Sequence, residues 1–131
     1  MKKIIIILLA VVIIGGGALY FFVFSGDKDP AEVITEYSPG EFFVTNVKDS
    51  PNLLKTMPVL VLNTDKLQER LAAENTKIRD TINAVLSEFN AEALTAADAR
   101  DKVKEAIISA VNARLEIDNV VDVWFNDFVM Q

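Results

Sequence analysis

The sequence predicts an α+β fold in which a single N-terminal transmembrane helix precedes a small domain of order β-β-α-α-β. Three observations carry this expectation. Residues 4–24, IIIILLAVVIIGGGALYFFVF, run for 21 positions without a charged side chain. Residues 41–62 and 120–130 are rich in aromatic and β-branched side chains and are bounded by turn formers. Between them, apolar residues recur at three, four and seven positions, which is the helical period.

The first stretch, bounded by Ile4 and Phe24, has the length of a membrane span. At about 1.5 Å per residue it reaches ~31 Å, the hydrocarbon thickness of a bilayer, and a helix satisfies its own backbone polar groups there. A cleaved secretory signal and a buried helix of a soluble domain are the alternatives. The run is longer than a signal-peptide core, and Phe24-Ser25-Gly26-Asp27 lacks the small-residue cleavage pattern. A lipoprotein signal needs a cysteine, and the chain has none. Lys2 and Lys3 precede the span while Gly26-Asp27-Lys28-Asp29 follows it, so the N-terminus is expected in the cytoplasm and the remainder outside. Tyr20 is placed to act as an interfacial anchor. Gly15, Gly16, Gly17 and Ala18 make a smooth patch able to admit a neighbouring helix. Their spacing gives no G-x-x-x-G pair, and an incidental cluster is the plainer reading.

About 107 residues follow the span, enough for one domain. The expected division is 1–24 for tail and span, 25–40 for a polar linker that contains Pro30 and begins to order near Val33 and Ile34, and 41–131 for the domain. Setting aside Lys2 and Lys3 leaves 11 basic against 19 acidic side chains, a net of −8. That sign argues against nucleic acid and against electrostatic attachment to anionic lipid. Without histidine or cysteine the chain lacks the commonest general base, thiol chemistry and the usual transition-metal ligands. Only Gly26 and Gly40 lie beyond the span, so no glycine-rich phosphate loop exists. No catalytic, cofactor-binding or metal-binding residue is expected, and the chain does not read as an enzyme. The contrary hypothesis is a hydrolase using Asp122 and Asp127 near Glu116 and Asp118; it requires a deep pocket with converging carboxylates.

Within the domain, Ser38-Pro39-Gly40 marks a turn before a first strand over 41–47. The cluster at 48–52 returns the chain as a second strand over 54–62, in which Pro58 is expected at an edge, at a bulge or at the true strand start. Asn63, Thr64 and Asp65 supply capping side chains. Leu67, Leu71, Ile78, Ile82, Val85, Leu86 and Phe89 then form one apolar stripe. It weakens at 74–76, so either one helix or two, the second capped by Thr76, fits. Thr95-x-x-Asp98 resembles a capping box for a helix from Ala96 to about Leu115, with Val103, Ile107, Val111 and Leu115 on its buried face. Its alternating charges, Arg100 to Glu105, suit a solvated surface. Asp118-Asn119 turns into a last strand at 120–130. Strict alternation there puts Val121, Val123, Phe125 and Val129 on one face and Val120, Trp124, Phe128 and Met130 on the other. Core packing and a subunit contact both suit Trp124 and Phe125.

This last strand resembles the close of the FliL family, flagellar basal-body-associated proteins: Trp124-Phe125, a polar interval, Phe128-Val129, one residue and Gln131. Further resemblance lies in Phe43-Val44-Thr45-Asn46-Val47, in Ile78-Arg79-Asp80-Thr81-Ile82, and from Ile108 through Asn112-Ala113-Arg114-Leu115. The short tail and the Lys55-Thr56-Met57-Pro58 segment depart from the family pattern. The resemblance implies a bacterial inner-membrane protein with a periplasmic domain of stomatin/prohibitin (SPFH) type. It implies homo-oligomeric rings that associate with stator proteins of the MotA/MotB type at the basal body and support torque, motility and chemotaxis. The alternative is a membrane-anchored prohibitin-like scaffold of another envelope complex.

Overall fold

The computed structural model describes residues 2–24 and 33–131, and the chain divides into two compact units, Met1–Glu32 and Val33–Gln131. In the first unit, helix α1 spans Lys2–Phe24. Its described side chains run 3–7 and 9–17, and among the described residues no helix is long and apolar enough to cross a membrane. What is established over residues 4–24 is therefore a helical backbone. The side chains of Tyr20 and Phe24, and the flank at 26–29 used for orientation, lie outside the described residues.

The second unit is α+β, with β1 (Thr35–Tyr37), β2 (Phe43–Asn46), β3 (Leu53–Leu62), α2 (Gln68–Ala73), α3 (Asn75–Leu86), α4 (Ala91–Thr95), α5 (Ala99–Leu115) and β4 (Val120–Met130). Strand β3 is the axis of an antiparallel sheet. One edge pairs with β4 over nearly its whole length; the other pairs with β2 at Leu53–Thr56 and with β1 at Leu60–Leu62. β1 and β2 thus lie end to end along one edge, separated by the Ser38–Phe42 connection. Within the stretch 25–40, the order expected near Val33 and Ile34 takes the form of β1, a three-residue strand too short and too polar to produce a period-two signal.

Pro58 sits inside β3, opposite Phe125 and between the segments paired to β2 and β1. Its absent N–H falls where neither β1 nor β2 pairs, and a register shift marks the β4 side between Thr56 and Pro58. That shift is one of two, the other lying between Val61 and Leu62, and each puts an extra residue into β4. Each bulge reverses which side chains face inward. Val120, then Val123 and Phe125, then Phe128 and Met130 meet the core, whereas Val121, Trp124 and Val129 are exposed. The strict alternation expected from sequence is corrected on this point. Thr56 is fully buried at the second bulge and donates from Oγ1 to the Asp127 carbonyl at 2.6 Å.

Helices α3 and α5 cover the inner face. Their stripes, Ile78, Ile82 and Leu86 against Val103, Ile107, Val111 and Leu115, close over Phe43, Leu54, Leu60 and Leu62. Each such aliphatic chain contributes about 1.5–3 kcal/mol by leaving water. The stripe's weak point at 74–76 is a true break, with Glu74 between α2 and α3. The capping box does not form. Asn90 caps α4 by accepting from the Ala93 N–H at 2.8 Å, while Thr95 bonds back to Ala91 inside α4 and α5 begins after Asp98 without a side-chain cap.

Helix α5 ends in a Schellman arrangement: the Ile117 N–H reaches the Asn112 carbonyl and the Glu116 N–H reaches that of Ala113. Glu116 takes the left-handed conformation, φ 54° and ψ 47°, that glycine occupies at less cost. Glu116→Gly is expected to stabilise the domain by about 0.5–1 kcal/mol, read as a raised urea midpoint at unchanged slope.

Candidate functional site

Two of the residues singled out by motif, Arg79 and Asn112, prove to be fasteners. The Pro39 carbonyl, in the connection between β1 and β2, accepts from Asn75 Nδ2 at 3.0 Å and from Arg79 Nη1 at 3.2 Å. The Arg79 guanidinium also lies over the Phe43 ring, 4.1 Å from its centroid, a cation–π contact. Gly40 follows with φ +142°, a backbone conformation that calls for glycine; a Cβ there would meet the end of the Arg79 side chain, which would have to shift. The Tyr37 hydroxyl sits 2.7 Å from Asn75 Oδ1 and 3.1 Å from the Leu71 carbonyl, and donates to one of them. Burial pushes this phenol above its ordinary value of 10.0. Together these contacts pin the β1–β2 connection to the α2–α3 junction.

Asn112 performs a similar task at the C-terminal part of α5. Its Nδ2 donates to the Val120 carbonyl at 2.9 Å and its Oδ1 accepts from the Val120 N–H at 3.1 Å, fixing the entry of β4 from the side of α5. Val47 and Ile78 are core residues, and Phe125 and Phe128 pack against the core edge to face, 5.1 Å apart. Gln131 exchanges both backbone hydrogen bonds with Leu53.

Other singled-out residues lie on the surface. Asn46, Asp80, Trp124 and Val129 are exposed. Trp124 donates from Nε1 to Asp122 at 3.2 Å, which holds the indole against the outer face of the sheet. Val44, Leu53, Val121 and Val129 are also exposed, while Val59 and Val61, outward-facing in β3, are buried. Asp80 lies 3.9 Å from Arg114, an exposed pair of small energetic weight. In α1, Ile4 is exposed, and nothing lies within 4 Å of a Cβ built at Gly15, Gly16 or Gly17.

Of the carboxylates named for a hydrolase, Asp122 is engaged within the domain. Asp122 accepts from the Val123 N–H and from Trp124 and lies 3.8 Å from Lys104, while Asp127 is exposed. Among the described residues no group of three or more acidic side chains is placed to hold a metal ion. The domain carries an open groove of about 420 Å³ between the free edge of β2 and helix α3, lined by Val44, Asn46 and Leu53 on one side and Asp80, Asn83 and Ser87 on the other. Sequence reasoning had no route to it, since a groove at a strand edge exists only once the pairing is known. Tyr37 and Asn75 were missed because they lie in stretches read as linker and helix break.

Two substitutions test the fasteners. Asn112→Ala leaves both main-chain groups of Val120 without these partners and should cost about 2 kcal/mol in urea unfolding, with the far-ultraviolet spectrum retained. Tyr37→Phe should cost about 1 kcal/mol at neutral pH. The folded chain keeps a phenolic proton that the unfolded chain surrenders, so the stability Tyr37 contributes is full below pH 10.0 and is lost as pH rises through the elevated folded value. The gap between wild type and Tyr37→Phe should shrink over that range in urea titrations at a series of pH values.

No curated protein matches the chain. A family model does: the one described as Flagellar basal body-associated protein FliL matches residues 37–131, nearly all of the second unit and more than half of the chain. The chain belongs to the FliL family of flagellar basal body-associated proteins.

Proposed function

We propose that this chain is a non-enzymatic, single-pass inner-membrane accessory of the flagellar motor. Its second unit stands in the periplasm, and several copies close into a ring around stator units of the MotA/MotB type, supporting their assembly and torque in swimming or swarming. The observation that carries the proposal is the family match over residues 37–131.

Membrane anchoring is supported by the uncharged run at 4–24 and by the helical backbone of α1, whose 23 residues extend ~34 Å. Its described isoleucines, valines and Leu9 are exposed around the whole helix, an arrangement at home in an apolar medium. The paired lysines at 2 and 3 favour a cytoplasmic N-terminus.

Ring closure is supported by a physical argument. Anchoring confines the copies to two dimensions and raises their effective concentration, so modest lateral contacts suffice. The apolar outer face at Val121 and Trp124 and the bare glycine patch at 15–17 are the surfaces available for such contacts.

One experiment tests these parts together. A fluorescent fusion of the full chain in its own host should form foci at flagellar bases, and in-cell cross-linking should yield a ladder of oligomers. Trp124→Glu, at a half-exposed position, should disperse the foci and shorten the ladder with a melting temperature lowered by no more than about 4 °C. A uniform membrane signal together with normal swimming and swarming in a deletion strain would refute the proposal.

A further inference from the structure

The free edge of β2 carries a partly used pairing template. Val47 donates its N–H to the Asn52 carbonyl across the β2–β3 turn, which fixes the alternation: the main-chain groups of Phe43, Thr45 and Val47 face β3, and those of Val44, Asn46 and Lys48 face away. Lys48 is already matched on that outer side, where its N–H donates to the Phe89 carbonyl at 3.1 Å in a parallel bridge with Asn90. The next two positions along the same edge, Asn46 and Val44, open into the groove beside α3. No element among the described residues pairs with them.

The groove has a defined chemistry. Its strand side offers the apolar chains of Val44 and Leu53, both exposed, and its helix side offers the polar chains of Asp80, Asn83 and Ser87. Thr45, also on the lining, holds a hydroxyl that is buried and has no hydrogen-bond partner. A segment in extended conformation would meet all of this with one repeat of two. Its main chain takes the N–H and C=O groups of Val44 and Asn46, alternate side chains lie on Val44 and Leu53, and the intervening ones face Thr45, Asn83, Ser87 and the Asp80 carboxylate.

We propose that the β2–α3 groove binds an extended segment of a partner protein by strand addition, with apolar residues at alternate positions and basic or amide side chains between them. The sign of charge favours such a partner over a second copy of this chain. The groove presents Asp80 and the chain is acidic overall, at −6, while the other long edge of its own sheet, β4, carries Asp122 and Asp127 and is twice bulged, which hinders edge-to-edge pairing. The inference holds whether or not the chain acts at the flagellum. Loss of flagellar foci with retained peptide binding would remove the functional reading alone, and the reverse would remove the groove alone.

The test uses the full chain in mild detergent and an array of peptides about nine residues long, with Val or Ile at alternate positions and Lys, Thr, Asn or Ser between. The best binder, labelled for fluorescence anisotropy, should saturate at micromolar concentration. It should slow hydrogen exchange at the amides of residues 44 and 46 by at least about tenfold. Val44→Pro removes an outward N–H without touching the β3 ladder and should weaken binding about tenfold or more at an almost unchanged melting temperature. Asp80→Lys, on the exposed face of α3, keeps the strand intact and should shift the preferred peptides from lysine to uncharged residues. The proposal is overturned if no peptide in the array binds by about 1 mM, or if both variants bind as wild type does. It is overturned equally if residues 44 and 46 gain protection with chain concentration in the absence of peptide, which would mean that a second copy occupies the edge.

Discussion

The pairing of β3 on both its edges is the constraint on which the second unit depends. Each of the other strands takes its register from β3, and its inward chains, Leu54, Thr56, Leu60 and Leu62, form the floor over which α3 and α5 close. A ten-residue strand able to hold neighbours on both sides must normally be free of proline. Here Pro58 is accommodated because the facing edge is divided between two short strands, and their gap coincides with the missing donor. Dividing the edge has a further result. It brings the Ser38–Phe42 connection over the α2–α3 junction, where Tyr37, Asn75 and Arg79 converge around Pro39.

That convergence changes what the family motif residues signify. Arg79 and Asn112 look like surface groups available to a partner, yet both spend their hydrogen bonds on main-chain atoms of the domain itself. One fixes the connection preceding β2 and the other the entry of β4. The surfaces proposed for binding are instead made of residues with no conspicuous chemistry: Val44, Leu53 and Trp124, which are exposed, and short polar chains on α3.

Legibility from sequence followed the physical range of each signal. The stripes of α3 and α5 were readable because helical periodicity is local and both helices bury one side, as Ile78, Ile82, Val103 and Val111 show. The break at Glu74 was visible as a lapse of the stripe. Strand β1 was not readable, because Thr35, Glu36 and Tyr37 are held by pairing with residues 60–62, far along the chain. Thr95 misled because a capping box and a threonine bonded back within its own helix use the same letters. The groove was out of reach for a related reason: it is made of the absence of a neighbour beside β2, a property of topology alone.

The two bulges of β4 give its length a meaning separate from its composition. Between Val120 and Met130 the strand changes phase twice, so its residues belong to three consecutive frames, each with its own inside and outside. An insertion or loss of one residue in the middle frame would turn Phe128 and Met130 out to solvent and bring Asp127 and Val129 toward the core, without altering a single side chain. Comparison of relatives across this strand therefore has to be aligned frame by frame. Two chains with matching letters and different bulge positions present opposite faces, and two with few letters in common present the same one.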